Sequence, residues 1–590
     1  KESAALGSDI MFVTQVPVCA TMDAVTEAFL NQKATAKSAP RGGDLYIKYA
    51  EGTYDPAIYP EGLRNLTLAA GFGSSEILQA GLVGQSGSPI AVRQPAVHWN
   101  GKKALFSMVI GSPVDPFNSA DPAYRWQIYE ITGFGPAETP QIVKIQGQPG
   151  NFNNIAPFYS SDDKILFISD SPRGQAAHLA PLLDEYERAP TVGGIWRLDP
   201  STPVGANNPR LIQDSPSGAF DPFIDSYGRV VFTKCDHLRV DGFGQSGGTP
   251  GGGINYSDES SSASIVPGTM GPFQLMPPAD PKYQEFGDDY FPEQSRGDFD
   301  PAFALNGAST EQQILTAFQK RKATYVDAYG RTVRQYDFNH FYPWMVNQDG
   351  SEEETLNHIG RHEWGGSFNH AVIVDPKLYL EENHPFLSSI ANKNFMAGSA
   401  GLFQVREDRT TGFFCGVYSL EFRKAATGNI VCFKAAPDVN PDDMALENRT
   451  SNGGLTDFGP DGGFRHPLRL SSGEMIAVNT PYPQPADYSF DIDDKGCDQR
   501  FLTATDGVTA LEINGYDLRL KKLSLQGGLF RAGVPLTGGI QKEVRWYDGS
   551  GSLRGFKGAL WELDPVEVVE RAIPPLPGSV LPDIEKAVVE

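Results

Sequence analysis

Charge is sparse in this chain, and positive charge sparser still. Of 590 residues only 21% are Asp, Glu, Lys or Arg, and 49 Lys and Arg face 72 Asp and Glu, for a net charge of −23. Binding a phosphate backbone takes clustered Lys and Arg, so this balance argues against nucleic acid as a partner. Cysteine is nearly absent: five cannot staple a chain of this length, and the odd number leaves at least one unpaired. No apolar run approaches the roughly 20 residues that cross a bilayer, so no transmembrane segment is expected. There is no Gly-x-Ser-x-Gly elbow, Walker loop or dinucleotide fingerprint in its proper context. The first residues, Lys1-Glu2-Ser3-Ala4, include neither an initiator Met nor an apolar leader. They are expected to be the mature or trimmed end of an exported protein, periplasmic or extracellular.

What the chain does have is turns. Gly at 63 and Pro at 45 are spread along its length, a composition typical of many short strands rather than long helices. Hydrophobic residues at 40% rule out wholesale disorder. One unit recurs. Ala96-Val97-His98-Trp99-Asn100-Gly101-Lys102 runs through a polar turn into the apolar Lys103-Ala104-Leu105-Phe106-Ser107. Ala156-Pro157-Phe158-Tyr159 with Ile165-Leu166-Phe167-Ile168, and Asp221-Pro222-Phe223-Ile224 with Val230-Val231-Phe232-Thr233, repeat it at a spacing of about 60 residues. Between these hairpins lies a second element, a pair of outer strands. Examples are Trp126–Ile131 with Pro140–Ile145, Gly194–Asp199 with Pro209–Ile212, and Phe341–Ser351 with Glu354-Thr355-Leu356. Gly43–Ile47 with Arg64–Leu68 reads as an earlier copy of that pair, and Gly558–Pro565 with Val566–Val569 as a terminal one.

The Asn-Gly-Lys and Asp-Asp-Lys hairpins alternating with Trp344-Met345-Val346-Asn347-Gln348-Asp349-Gly350-Ser351 resemble the TolB-type β-propeller repeat. Asn357–Glu363, Gly401–Asp408 and His466–Gly473 are similar to the hydrazine synthase alpha-subunit-like proteins, and the resemblance covers most of residues 40–570. It implies an all-β β-propeller of about seven blades, with six or eight as alternatives. Redox-active members of that family carry c-type haem on Cys-x-x-Cys-His. No such motif stands at Cys19, Cys235, Cys415, Cys432 or Cys497, so covalent haem is not expected. Radial closure removes the exposed sheet edges that invite aggregation. The strand Asp9–Val16 is expected to complete the last blade by joining the one that contains residues 541–570.

The repeat breaks between residues 236 and 340, where a Gly- and Ser-rich insertion is expected to carry one short helix, Glu311 to Ala323. The organisation is then an N-terminal segment with the closing strand (1–40), first blades (41–235), insertion (236–340), remaining blades (341–570) and a Pro-rich tail (571–590). That tail, through Pro574-Pro575-Leu576-Pro577, cannot continue a strand and is expected to dock on the propeller or on a partner.

His358, His362 and the nearby His370 form the densest imidazole cluster, with Glu363 beside them as acid/base. On a helix His358 and His362 would share a face, a usable metal geometry. On the loop after an outer strand they would hydrogen-bond locally or sit near the channel mouth. Cys235 and His237, at a strand end, are candidate further ligands. The acidic runs Asp491–Gly496 and Asn440–Asp443 raise calcium as the other candidate ion, though neither has the twelve-residue loop spacing. Cys415 and Cys432 flank a hairpin and read either as a cross-strand disulfide or as adjacent buried thiols. Two functions stand. One is a binding or scaffold subunit with protein partners, in a larger exported or redox-related assembly. The alternative is a metal-dependent enzyme with its site at the channel mouth.

Overall fold

A computed structural model describes residues 3–17, 39–73, 89–112, 124–171, 335–359, 400–420, 516–547 and 553–578, together with 194–241 and 427–481 apart from short breaks. It also describes the strand pieces 78–79, 325–326, 332–333 and 509–510. The described residues are almost entirely β-structure.

Four-stranded antiparallel sheets recur along the chain. Sheet II is built from Ile90–Val97, Lys103–Ile110, Gln127–Thr132 and Gln141–Lys144, and sheet III from Asn154–Tyr159, Ile165–Ser169, Ile195–Leu198 and Arg210–Gln213. Sheet IV takes Ala219–Ile224, Arg229–Asp241, Gln335–Asn347 and Glu354–Thr355, and sheet V takes Ala400–Asp408, Phe413–Leu420, Asn429–Lys434 and Glu447–Asn448. One parallel pairing, Phe341 with Gly401, joins these two. Sheet VI comprises Gly463–Arg469, Met475–Thr480, Arg519–Gln526 and Leu529–Pro535.

Sheet I is assembled from both ends of the described chain. Trp561–Val568 pairs with Asp9–Gln15, that strand with Leu45–Lys48, and Leu45–Lys48 with Leu63–Asn65. The terminal copy expected from the sequence is therefore arranged differently. Residues 561–568 form one strand rather than two, because Asp564-Pro565, which looks like a turn, is accommodated as a bulge inside it. Residues 541–559 leave this sheet altogether. Gln541–Tyr547 and Leu553–Ala559 make a hairpin in a separate sheet with Leu78–Gln79 and Thr509–Ala510.

The first strands of sheets II to VI and Trp561–Val568 of sheet I touch one another in order, and the strand of sheet VI touches that of sheet I. Apolar side chains fill the gaps between neighbouring sheets. One cluster contains Leu520, Phe12, Trp561 and Phe106 from sheets VI, I and II, and another joins Val109, Ile168 and Phe232 from sheets II, III and IV. Two more bridge sheet IV to V (Val231, Phe414) and V to VI (Ile430, Phe464). Each fully buried side chain of this size contributes about 1.5–3 kcal/mol. Strands packed on both faces lose the usual polar alternation, which is why Ile165–Ser169 is buried at every position. Together these features make a propeller-like all-β fold with its first strands innermost.

The long strands of sheet IV run beyond the sheet proper. Their pairing continues from Cys235 opposite Phe341 to Asp241 opposite Gln335, so the insertion starts as a two-stranded arm. The helix expected at 311–323 lies outside the described residues.

Candidate functional site

Every innermost strand carries the same irregularity. Two residues oppose one at Gln94-Pro95, Ala156-Pro157, Asp221-Pro222, Gln404-Val405, His466-Pro467 and Asp564-Pro565. The first residue of each pair has a positive φ, between 46° and 56°. Few non-glycine residues adopt such a backbone without tertiary support. Proline fits the second position because a bulged residue owes no N–H to the ladder. A bulge re-aims a side chain, and here the six re-aimed residues line one cavity of about 290 Å³.

Hydrogen bonds pass from one innermost strand to the next at this level. Asp564 Oδ2 accepts the Gln94 N–H at 3.0 Å, and Gln94 Oε1 accepts the Ala156 N–H at 3.1 Å. Gln404 Oε1 accepts the His466 N–H at 2.8 Å, and His466 Nε2 lies 3.0 Å from Asp564 Oδ1. The side chains of Gln94, Gln404 and Asp564 thus each serve the backbone of the following sheet, whereas His466 meets the Asp564 carboxylate and Ala156 has no acceptor to hand on.

Three guanidiniums lie at the same level. Arg93 Nε donates to Gln94 Oε1 at 2.8 Å, and its guanidinium lies over the Trp126 ring. Arg406 Nη1 donates to the Asp221 carbonyl at 2.9 Å and lies over Phe223. Arg465 is fully buried. Burial lowers the pKa of all three, Arg93 and Arg465 to about 10, opposed in each case by the carboxylates of Asp564 and Asp221. All three stay charged at neutral pH. Burial also lowers the His466 pKa, with Arg465 adding to the effect against the pull of Asp564, so the ring is neutral. For Asp564 burial acts upward, but His466, the Gln94 N–H and Arg465 outweigh it and hold the carboxyl well below the usual range. Gln404 is 1% exposed, and its Nε2 finds no partner among the described residues; nor does His466 Nδ1.

Above this level the cavity is walled by Trp99, Phe158, Phe223 and Leu468 and opens on the side of the first hairpin turns. Those turns are tied together. Trp99 Nε1 donates to the Ser160 carbonyl at 3.0 Å, Gln348 Nε2 to the Gly228 carbonyl at 2.8 Å, and the Ser226 N–H to Glu407 Oε2 at 2.7 Å. Arg469 pairs with Asp408 at 3.2 Å, and Glu567 Oε1 accepts the Ser471 N–H at 2.8 Å. The C-terminal segment 569–578 runs along this rim. The Arg571 N–H donates to the Trp99 carbonyl at 2.7 Å, and the Pro575 carbonyl accepts from Gln348 Nε2 at 3.3 Å and Ser161 Oγ at 3.4 Å.

The residues singled out in the sequence lie elsewhere. His358 ends a short 3₁₀ turn, Leu356–His358, after the outermost strand of sheet IV, and its Nδ1 lies 2.5 Å from Glu354 Oε2. It borders a second cavity of about 500 Å³ with Tyr227, Arg229, Asn357 and Asn440. Cys235 and His237 sit opposite Phe341 and Asn339 in the two-stranded arm. His362, Glu363, His370 and the acidic run 491–496 lie outside the described residues. Among the described residues no group of three or more His, Cys, Asp or Glu is placed to hold a metal ion. Cys415 and Cys432, directly opposite on neighbouring strands of sheet V, are joined as a disulfide.

The axial residues were missed, although they carry a signal. An x-Pro pair follows an arginine or apolar residue in five of the six innermost strands, a regularity that turn-centred reading passes over.

No family model matches the chain, and no curated protein does. Among solved structures, an oligogalacturonate lyase from Vibrio parahaemolyticus is 9% identical, covering 83% of this chain and 98% of its own, with a TM-score of 0.25. A puromycin-hydrolyzing peptidase from Mycobacterium tuberculosis is 8% identical, covering 92% of this chain and 60% of its own, also at 0.25. At that degree of superposition neither neighbour assigns a residue or an activity to this chain.

Proposed function

We propose that the protein is an exported binding propeller of six blades, closed by the pairing of Asp9–Gln15 with Trp561–Val568, whose ligand site is the axial cavity. The count of six replaces the expected seven or so because six strands among the described residues carry the bulged, left-handed residue, and it keeps the TolB-type resemblance of the hairpins. The observation that carries the binding role is the convergence of Gln94, Asp221, Gln404, His466 and Asp564 on one partly apolar cavity. A concave site with apolar walls and a few convergent polar groups is the usual form of a small-molecule site. The sheets then act as scaffold, and the two-stranded arm and C-terminal segment offer surface to protein partners.

A screen of small molecules by thermal shift on the full chain tests this. Ligands that raise the Tm of the wild type should lose their effect on Ala96→Phe, which fills the cavity wall, while that variant keeps its circular dichroism. Ligand shifts that survive Ala96→Phe would remove the cavity from the proposal.

A second reading, the metal-dependent enzyme, has one observation in its favour: the close approach of His358 to Glu354 beside the larger cavity. His362, Cys235 and His237 would complete the ligands and Glu363 would act as acid/base. Stoichiometric transition metal in the purified protein, lost on His358→Ala, would support it.

A further inference from the structure

We propose that the ligand of the axial cavity is an uncharged molecule that places a hydroxyl group between Gln404 and His466, an inference that rests on that cavity being the binding site. Of the buried side-chain atoms without a hydrogen-bond partner among the described residues, those of Gln404 and His466 alone line the cavity. The two residues stand on neighbouring innermost strands and are bonded to each other, Gln404 Oε1 accepting the His466 N–H at 2.8 Å. Their neighbours fix what each can do. A backbone N–H only donates, so the amide atom facing it is the oxygen and the unpartnered Gln404 Nε2 is a donor. His466 Nε2 lies 3.0 Å from the Asp564 carboxylate, which only accepts. The proton of the neutral ring therefore belongs on Nε2, and Nδ1 is left as an acceptor.

The cavity thus offers one donor and one acceptor on two bonded residues. A hydroxyl is the smallest group that answers both: its oxygen accepts from Gln404 and its hydrogen goes to His466. Buried polar atoms left unpaired are costly, so a ligand that pairs both gains more than the burial of its apolar surface. A carboxylate would turn a lone pair toward His466 Nδ1, and an ammonium group would turn an N–H toward the Gln404 amide, so each satisfies one residue and opposes the other. The arginines of the lining are already engaged. Arg409 pairs with Glu407 at 3.5 Å, Arg469 with Asp408 at 3.2 Å and Arg571 with Glu567 at 3.0 Å, while Arg406 donates to the Asp221 and Val405 carbonyls. The volume of about 290 Å³ and the walls of Trp99, Phe158, Phe223 and Leu468 fit a compact apolar body carrying the hydroxyl.

A series of matched shape tests this on the full chain by ligand-observed NMR titration: benzyl alcohol, benzyl methyl ether, toluene, benzoate and benzylammonium. The alcohol, which donates and accepts, should bind at least about fivefold more tightly than the ether, the worth of one neutral hydrogen bond. The ether, which only accepts, should bind more tightly than toluene, and both ions should bind more weakly than the alcohol. His466→Phe removes the acceptor and should bring the alcohol to the level of the ether. Gln404→Glu, nearly isosteric, removes the donor and should bring the ether to the level of toluene or below it. It carries the test if the histidine variant does not fold. Ether or toluene binding as tightly as the alcohol, and lost in Ala96→Phe, would keep the cavity as the site and overturn the hydroxyl. Tighter binding of either ion would overturn it as well, as would a wild-type order that persists in these variants. If no member binds in a way that Ala96→Phe abolishes, the cavity itself is discarded.

Discussion

Asp564 sits 3.0 Å from the imidazole Nε2 of His466, and with its other oxygen it holds the backbone N–H of Gln94 from the opposite side. One carboxylate therefore ties the innermost strand of sheet I to both of its neighbours. Asp564→Ala should destabilise the protein by about 3–5 kcal/mol, the usual cost of stripping one member from a buried ionic network. Asp564→Asn, which keeps an acceptor for the Gln94 N–H, should cost less. Urea denaturation of the two variants against wild type measures the difference.

Acid should reach this network in two stages. Burial lowers the His466 pKa from 6.5, so the unfolded chain binds the proton first. The stability that comes from keeping His466 neutral is complete above about pH 6.5 and declines as the pH falls below it. Asp564, also lowered, from 3.8, contributes stability above that value that is lost as the pH drops further. Carboxyls that burial raises, such as Glu562 and Glu407, work in the opposite sense and disfavour the folded state as the pH rises past their ordinary range. A difference profile removes them. Subtracting the unfolding free energy of His466→Gln from that of wild type, between pH 7.5 and 5, should give a wild-type advantage that shrinks toward acid. A difference that grows toward acid would contradict a buried neutral imidazole.

How much of this was written legibly in the sequence follows from the physics of each signal. Hairpins such as Trp99-Asn100-Gly101 and Ser161-Asp162-Asp163 announce themselves because turn chemistry is local. Strands such as Phe341–Asn347 announce themselves because apolar runs are contiguous. That Asp9–Val16 should join the blade of residues 541–570 was expected from the need to cover a sheet edge, a general constraint rather than a motif, and of that stretch Trp561–Val568 alone pairs with it. The axial site had no such advantage. Gln94, Gln404, His466 and Asp564 stand far apart in the chain, and each is unremarked in its own segment. Only the shared x-Pro bulge links them, and Gln404-Val405 lacks even the proline. The histidines at 358 and 362 drew notice through closeness in sequence, which says little where ligands converge from separate strands.

The rim offers a cleaner test of backbone packing. At Gly228, with a φ of +88°, an added Cβ would lie 2.1 Å from the Pro575 carbonyl oxygen. Gly412, at +73°, occupies a similar turn with nothing within 4 Å. Both Gly→Ala changes should carry the intrinsic strain of about 1 kcal/mol. Gly228→Ala should in addition lift the C-terminal segment, so that trypsin cuts after Arg571 faster than in wild type or Gly412→Ala. Equal cleavage in all three proteins would mean that the segment is not held at this point.

The Cys415–Cys432 bridge spans a sequence separation of 17 residues. Closing a loop of that size is worth about 3 kcal/mol in the chain-entropy description. Adding a reductant, or replacing both residues with alanine, should lower the Tm, and the double variant should lose its sensitivity to reductant.

Because Asp9–Gln15 pairs along one edge with Leu45–Lys48 and along the other with Trp561–Val568, the chain through Val568 must leave the ribosome before that second edge can be covered. At about 5–20 residues per second the wait is on the order of a minute. Over that time Ile10, Met11, Phe12 and Val13, all fully buried in the finished molecule, stand on a strand with one edge uncovered. The nascent chain thus has a period of vulnerability set by the distance between these two strands, during which a holding chaperone would have its clearest target at Asp9–Gln15.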